Sequence, residues 1–267
     1  LDPSNMTSVI QQSQSSNNII SEEENYSLSF NGPGNYVQVH NFQPETDQLT
    51  LGAWIKTSNN TSFSRIISRT HTDNIFFLAI QENGQIRFNV MSGEVISLDG
   101  GFNDDQWHYV VGTWNGSTVS IYVDGMFQGN ADAITPLDYP ELYTDLFIGT
   151  RQSYWENFNG YIDNVEVWST ALTQEQVNSN MVNTIEGFEE SLLGFWKFND
   201  GEGLILTDFS DNGNDGIIYG AEWSDDVPNV ENQNQQNFAL DFDGVDDYAE
   251  VPYANSLLFE NSSISYS

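Results

Sequence analysis

Cysteine is absent from the sequence, and its absence excludes several kinds of stabilisation and chemistry together. There can be no disulfide bond, no thiol nucleophile and no Cys-type zinc site. Basic residues are also scarce, with six Lys plus Arg against thirty-nine Asp plus Glu and a formal net charge of -33. Such a chain repels nucleic acid phosphates, and dissolved salt would screen its self-repulsion. We therefore expect no nucleic acid partner and a marine or otherwise salt-exposed source.

Long apolar runs are missing as well. No stretch approaches the roughly 20 apolar residues that a membrane-spanning helix needs, and no signal-peptide pattern follows Leu1. We expect no membrane insertion, and we interpret the sequence as a fragment of a longer exported protein. An aromatic content of 13% supplies enough packing material for a folded chain.

The clearest structural signal lies in residues 106–125. Two apolar-rich segments flank the turn Asn115-Gly116, and a second turn follows at Asp124-Gly125. Asn-Gly and Asp-Gly are typical of tight β-hairpin turns. Every second residue from Val119 to Val123 is apolar, which indicates a strand with one buried face. The stretch therefore predicts two consecutive β-hairpins.

Other segments show the same strand-like patterns, and one segment differs. Thr173, followed three residues later by Gln176, forms a capping box, which predicts a short helix that ends near Asn183. The chain is therefore expected to be all-β with one short helix. The further predicted strands cover residues 26–30, 36–39, 49–55, 65–68, 75–80, 86–90, 146–149 and 160–167.

Several of these motifs together resemble a known family. The segments Trp107-His108-Tyr109-Val110, Trp114-Asn115-Gly116 and Tyr122-Val123-Asp124-Gly125 are similar to the centre of laminin G-like or pentraxin-like domains. The segment Gly160 to Trp168, followed by Ala171-Leu172-Thr173, resembles the closing signature of bacterial secreted modules of this type. The resemblance implies a concanavalin A-like fold, a two-sheet antiparallel jelly-roll sandwich closed by the short helix.

An internal repeat suggests tandem modules. The pattern of Phe30 to Val39 returns in Phe242 to Val251, and residues 193–203 resemble the opening of such a module. We predict a linker or edge segment at 1–24, a complete module at 25–183, a linker at 184–191 and the N-terminal part of a second, truncated module at 192–267. The strand Gly194 to Phe198 could instead lie on the first module, but we favour the second.

Catalysis is not expected. The same jelly roll carries laminarinase-type glucanases with the strand motif Glu-x-Asp-x-x-Glu, whose two glutamates supply nucleophile and acid/base. Here Asp163 and Glu166 fit the last two positions, but Tyr161 stands where the nucleophile is needed. We expect Glu166 to be a solvated strand residue. The three histidines, His40, His71 and His108, form no catalytic or zinc-binding pattern in the sequence.

Calcium is the more plausible chemical partner, because hard cations take oxygen ligands. The resemblance places the strands of Asn31 and Asp163 side by side, so a structural calcium could join them, with Asp243 at the Asn31 position of the second module. Alternatively, Asn31 only shapes a glycine turn and Asp163 hydrogen-bonds backbone. A second oxygen-rich turn contains Asp208, Asp211, Asn212 and Asp215.

The pentraxin resemblance implies a third calcium position. Pentraxins carry an Asp-Asn pair at the start of a strand, and Asp73-Asn74 matches it in type and place. Arg151 and Ser153 stand where the other acidic ligands would follow, so only one ion, held by Asp73, Asn74 and Glu156, is expected.

The loop after residue 149 has the residue types of a sugar-binding site. Adjacent aromatic residues lie among charged and amide side chains, and sugars place C–H faces on rings while polar groups bind their hydroxyls. Alternatively, Trp155 folds back onto the sandwich edge. Trp54, Trp107 and Trp114 are expected in the core. The predicted sugar-binding residues are Arg151, Gln152, Tyr154, Trp155, Glu156 and Asn157.

We therefore predict a non-catalytic, lectin-like carbohydrate-binding module of a secreted or cell-surface multidomain protein. Its expected partners are a polysaccharide or cell-surface glycan and further domains of the same chain, with calcium as structural cofactor. An adhesion or spacer module that binds protein or no ligand is the first alternative. An appendage of a polysaccharide-degrading enzyme is the second.

Overall fold

The structure, a computed structural model, describes residues 25–44, 46–70, 74–133, 144–151, 155–183 and 185–229. The side chains of Thr70 and Asn74 are not described. The predictions for Asp73, Gln152, Tyr154, Asp243 and the segments 1–24 and 231–267 lie outside these residues.

The described residues form strands and one helix, α1, at Gln174–Val182. The strands are β1 (Ser27–Asn31), β2 (Tyr36–Val39), β3 (Leu49–Lys56), β4 (Ser64–Thr70), β5 (Asn74–Ile80), β6 (Ile86–Val90), β7 (Gly93–Ile96), β8 (Trp107–Trp114), β9 (Thr118–Val123), β10 (Met126–Asp132), β11 (Leu146–Ile148), β12 (Asn159–Trp168), β13 (Leu192–Trp196), β14 (Ile205–Leu206), β15 (Gly216–Tyr219) and β16 (Glu222–Ser224).

These strands make two antiparallel sheets, which pack face to face. The first sheet has the order β10-β9-β8-β3-β12-β1-β16, and β13 also pairs with β12. The second has the order β14-β15-β2-β11-β4-β5-β6-β7. The alternating apolar residues of both sheets meet in one inner core that includes Phe30, Phe88, Trp114 and Trp196. The predicted two-sheet jelly-roll sandwich is confirmed.

The central hairpins form as predicted. Strand β8 pairs with β9, and β9 pairs with β10. Asp124 and Gly125 both adopt positive φ, at 49° and 73°, which is the backbone that a tight Asp-Gly hairpin turn requires. Trp54 and Trp114 are buried, whereas Trp107 is only partly buried.

Helix α1 also begins as predicted, since the Thr173 side chain accepts from the Gln176 amide and the Gln176 side chain accepts from the Thr173 amide. Val177 is buried in a second hydrophobic cluster with Trp54 and Tyr109, on the outer face of the first sheet. The helix therefore covers this face, which lies away from the inner core.

The predicted boundary between two modules is wrong for residues 192–224. Strand β13 pairs with β12, β15 with β2 and β16 with β1, so these residues complete both sheets of the same sandwich. Trp196 and Phe198 are fully buried in its inner core. The physical reason is that the second half of β12 and the edges of β1 and β2 need partners, which the later strands supply. The described residues between 25 and 229 all belong to this one compact unit, and the unit at 231–267 lies outside the described residues.

Candidate functional site

Residues 155–158, in the loop between β11 and β12, are fixed to the second sheet by the contacts of Arg65 with Glu156. The backbone amide of Arg65 donates to the Glu156 carbonyl at 2.8 Å, and its Nε lies 2.6 Å from Glu156 Oε2. The guanidinium carbon lies 3.5 Å from the centre of the Phe77 ring. The Arg65 side chain thus connects the loop to the outer face of the second sheet.

The surroundings of Arg65 affect its charge. Burial lowers the pKa of Arg65 to about 10, although Glu156 acts in the opposite direction. The side chain is therefore still protonated at neutral pH, and its pairing with Glu156 is ionic. Because Arg65 is only 3% exposed, solvent screens this pair less than it screens a surface ion pair.

Trp155 projects from this loop into solvent, with 71% of its surface exposed. The alternative in which it folds back onto the sandwich edge is therefore wrong. Next to it, Asn157 Oδ1 accepts from the Thr150 hydroxyl at 2.9 Å, and Arg151 Nη1 lies 3.7 Å from Glu156 Oε1. The structure thus brings together Arg151, Trp155, Glu156 and Asn157 of the predicted sugar-binding residues.

A second candidate site is a cavity of about 270 Å³ on the outer face of the first sheet. Its floor consists of Trp54, Tyr109, Glu166 and Phe195, and the last turn of α1 forms one wall. Amide side chains surround the opening. They are Asn25, Asn164, Asn180, Asn183 and Asn199.

The segment after β16 completes the rim with Pro228. Asp226 fixes this segment to the sheet, because its carboxylate lies 2.7 Å from Lys56 Nζ and accepts from Trp107 Nε1 at 2.9 Å. The Ser27 hydroxyl donates to the Asp226 carbonyl at 2.7 Å. Three elements of the first sheet therefore hold this side of the cavity in place.

Glu166 is the buried carboxylate of the floor and is only 1% exposed. The Tyr109 hydroxyl donates to Oε1, while Trp168 Nε1 and Asn180 Nδ2 donate to Oε2 at 2.7 and 3.0 Å. Burial raises the pKa of Glu166, and these three hydrogen bonds oppose the shift. Gly52, on the neighbouring strand β3, lies against Glu166, and a Cβ atom at this position would overlap Glu166 Oε1. The prediction of a solvated Glu166 is wrong, because α1 covers it.

The structure does not bring Asn31 and Asp163 together. Strands β1 and β12 are neighbours as expected, but Asn31 pairs with Asn159, four residues and about 13 Å of strand from Asp163. Asp163 is fully buried, and the backbone and side-chain amides of Asn164 donate to it at 2.7 and 3.2 Å. A calcium ion shared by Asn31 and Asp163 does not fit this register.

The turn that contains Asp208 is closed by its own hydrogen bonds. Asp208 Oδ1 accepts from the amides of Phe195 and Ser210, and Oδ2 accepts from the Ser210 hydroxyl and the Asn214 amide. Asp215 accepts from the Asp208 amide. Asn212 donates to backbone and to the Ser210 hydroxyl, and Asp211 is exposed. These contacts occupy the Asp208 oxygens that a calcium ion would need.

Metal and membrane features can be assessed only within the described ranges. No group of three or more His, Asp or Glu residues there is arranged to hold a metal ion. His108 lies between Asp124 and Asp104, and His40 lies beside Asp145. No helix in this part of the chain has the length and apolar character to span a membrane.

The cavity was missed by sequence reasoning. Its floor comes from four strands, and its rim from α1 and from the segments before β1, after β13 and after β16. The only local signal was the presence of two carboxylates, Asp163 and Glu166, in a strand that also carries buried apolar residues. Regular alternation would place them on opposite faces of the sheet, but a β-bulge between them, with Asn164 at a φ of 47°, brings both to the outer face.

Comparisons with solved structures agree with the fold. The chain is similar to a protein from Bacteroides ovatus ATCC 8483 assigned to carbohydrate binding, at a TM-score of 0.64 and 19% identity, over 76% of this chain and 60% of that one. It is also similar to a heptameric SAP-like pentraxin from Limulus polyphemus, at a TM-score of 0.50 and 20% identity, over 59% of this chain and 82% of that one. The chain thus spans about three fifths of the length of the Bacteroides protein.

A laminin G family model, described as the concanavalin A-like lectin/glucanases superfamily, matches residues 30–178, more than half of the chain. The matched region begins in β1 and ends in α1, so it includes both central hairpins and the closing strand β12. The chain therefore belongs to the concanavalin A-like lectin/glucanase family of laminin G-type domains.

Proposed function

We propose that this chain is a non-catalytic, lectin-like domain that binds a carbohydrate at the loop carrying Trp155. The observation that carries the proposal is the 71% exposure of Trp155 on a loop held in place by the Arg65–Glu156 pair. An exposed ring on a fixed loop can stack on the C–H face of a sugar with little loss of conformational entropy. Arg151, Glu156 and Asn157 supply polar groups beside the ring.

The cavity on the outer face of the first sheet is better suited to binding a ligand than to hydrolysing a glycosidic bond. Retaining and inverting glycosidases both need two carboxyl groups on either side of the scissile bond. Glu166 is the single carboxylate among the described residues that line the cavity, and three donors already occupy it. Tyr161, at the position of the motif's nucleophile, supplies no second carboxylate.

The proposal also covers the location of the protein, its further domains and calcium binding. We infer a secreted or cell-surface multidomain protein, in which this domain supplies glycan binding. Calcium binding at Asp73 and Asn74 stays a prediction that rests on the pentraxin resemblance. Glu156, the third expected ligand, pairs with Arg65 in the structure, so a calcium ion there would have to compete with that arginine.

The test replaces Trp155 with alanine and measures retention of the protein in gels that contain polysaccharides, together with a glycan array. We expect the parent protein to bind at least one glycan and Trp155→Ala to lose about tenfold or more in affinity, a difference of roughly 1.4 kcal/mol. Both proteins should be assayed with calcium and with chelator.

Phe188→Ala is a matched control, because Phe188 is equally exposed, at 72%, but belongs to the segment between α1 and β13. It should bind like the parent. Unchanged binding by Trp155→Ala would move the site elsewhere. A folded parent that binds no glycan under either condition would instead favour the adhesion or spacer alternative.

A further inference from the structure

We propose that the cavity on the outer face of the first sheet is a second binding site, which takes one neutral, polyhydroxylated ring of monosaccharide size. It does not depend on Trp155, since the Trp155 loop is bound to the second sheet. The carbohydrate at the Trp155 loop would lie on an open surface, whereas a ligand here would be enclosed between the sheet, α1 and the segment around Pro228.

The first support for a polyhydroxylated ligand comes from the amide side chains of the cavity. Asn164 and Asn180 use their Nδ2 groups to donate to Asp163 and Glu166, and Asn183 donates to Ser179. No hydrogen bond to the Oδ1 atoms of these three asparagines comes from any described residue. The cavity thus presents acceptors in fixed positions, which suits hydroxyl groups, since each can donate to them.

The second support comes from the aromatic floor of the cavity, which suits a ring-shaped ligand. Trp54, Tyr109 and Phe195 offer ring surface, and Met181 and Ile185 extend it. A pyranose has an apolar C–H face and a polar rim, and this cavity has an aromatic floor with amides above it. Aromatic surface with a few convergent polar groups is the usual composition of small-molecule sites.

Charge and size narrow the ligand further. Glu166 on the floor and the net charge of -33 disfavour an anion, and Lys197, the one cation among the described lining residues, lies over the Phe195 and Phe209 rings at 5.9 and 4.8 Å. A cationic ligand is disfavoured by Lys197 in the lining and by the three donors that already contact the Glu166 carboxylate. The volume of about 270 Å³ lies just below the roughly 300–1,000 Å³ of drug-sized sites, which suits one ring and excludes a chain of several.

The experiment titrates the whole protein, labelled with 5-fluorotryptophan, with D-glucose, D-galactose, D-mannose, L-fucose and xylitol at millimolar concentrations. The fluorine signal of Trp54, assigned by Trp54→Phe, reports occupancy of the floor. We expect saturable movement of this signal with at least one cyclic probe and none with xylitol. If all five probes leave it in place, or if only xylitol moves it, the proposal is wrong.

Two variants and a matched control locate the effect. Val182→Trp should fill the cavity and abolish the shift, and Asn183→Leu should weaken it about tenfold. Asn178→Leu, on the same helix but outside the cavity lining, should titrate like the parent. Melting curves identify variants that do not fold, and an unchanged titration in folded Asn183→Leu would contradict the proposal.

Oligosaccharides distinguish the source of the ring. A terminal residue of a glycan would give the same shift with disaccharides of the binding sugar, whereas a site for free monosaccharide would exclude them. Trp155→Ala separates this proposal from the first. If glycan retention is absent in the parent but the Trp54 signal still titrates, the Trp155 proposal fails and this one stands. If the parent retains glycan but its Trp54 signal does not titrate, only the cavity proposal is wrong.

Discussion

The carboxylates at the two candidate sites are held in different ways. On the second sheet, Glu156 and Glu94 pair with Arg65 and Arg87. On the first sheet, Glu166 accepts only from neutral donors, and its described surroundings contain no arginine contact. Asp163 is likewise buried beside neutral amides. With six basic residues for thirty-nine acids, most carboxylates must be stabilised without a cation.

This difference has consequences for stability and for function. Burial without a cation raises the pKa of Glu166, and it raises that of Asp163 well above its ordinary value. Such groups make the fold less stable as the pH rises through their folded-state pKa. They lie beside the cavity of the first sheet, and local costs of this kind are typically retained at functional sites. On the second sheet Arg65 instead fixes a loop through Glu156, as Lys56 fixes the Asp226 segment at the rim of the cavity.

The largest effect on both faces should come from the strands that follow α1. Trp196 is fully buried in the inner core, and its Nε1 donates to the Asn214 carbonyl at 2.9 Å. Replacing Trp196 by alanine should lower the free energy of unfolding by about 3–5 kcal/mol, because it leaves a large cavity. Thermal or denaturant unfolding of residues 25–230 followed by circular dichroism measures this.

Trp155→Ala is the control for this prediction, and its stability should lie within about 0.5 kcal/mol of the parent, since the side chain is exposed. One cooperative transition that moves as a whole would show that β13–β16 belong to the same unit as β1–β12. Two transitions, of which Trp196→Ala moves only one, would restore the separate second module.

The sequence predicted well what depends on neighbouring residues. The hairpin turn at Asp124-Gly125 needs positive φ at two adjacent positions, and the cap of α1 needs only Thr173 and Gln176. Both are local, so both were visible. The pairing of β1 with β12 was also expected correctly. Their register was not predictable, and it places Asn31 opposite Asn159, four residues from Asp163.

Long-range features were not predictable in this way. The edge of β2 is completed by β15, almost 180 residues later, and a strand's pattern does not reveal which of several open edges it will join. The family order favoured a new module, whereas the unpaired edges of the first one decided the outcome. The burial of Glu166 depends likewise on where α1 lies. Alternation marks a polar face but does not say whether a helix covers it.

A smaller effect should come from removing one charge on the first sheet. Because burial raises the pKa of Asp163 and no cation of the described residues offsets this shift, the charged form opposes folding. Asp163→Asn should stabilise the protein at pH 8 by on the order of 1 kcal/mol, or about 2–4 °C in melting temperature. The gain should shrink as the pH falls through the folded-state pKa, where the parent carboxyl is protonated.

Asp211→Asn is the matched control for Asp163→Asn, because Asp211 is exposed and its change should have little effect at either pH. Melting temperatures at pH 4, 6 and 8, each with chelator and with millimolar calcium, complete the test. If Asp163→Asn is less stable than the parent at pH 8 in calcium only, then Asp163 is a metal ligand after all.

The smallest effect on stability should come from His108, whose imidazole contacts two carboxylates. Its Nδ1 lies 2.7 Å from Asp124 Oδ2 and its Nε2 lies 3.1 Å from Asp104 Oδ1. Burial lowers the pKa of His108, but the hydrogen bonds and charges of both aspartates outweigh this and raise it overall. A raised pKa means that the ion pairs stabilise the fold fully below the unfolded-state pKa and are lost as the pH rises through the folded-state value.

His108→Gln should therefore destabilise the protein by about 0.5–1.5 kcal/mol at pH 5.5, the usual net contribution of a hydrogen bond, and by less at pH 9. The measurement is the difference in melting temperature between parent and variant across this range, in low and high salt. His40→Gln is the matched control, because His40 is exposed and contacts only Asp145 among carboxylates. A His108→Gln penalty that grows with pH would show that the neutral imidazole, rather than the charged one, holds the two aspartates.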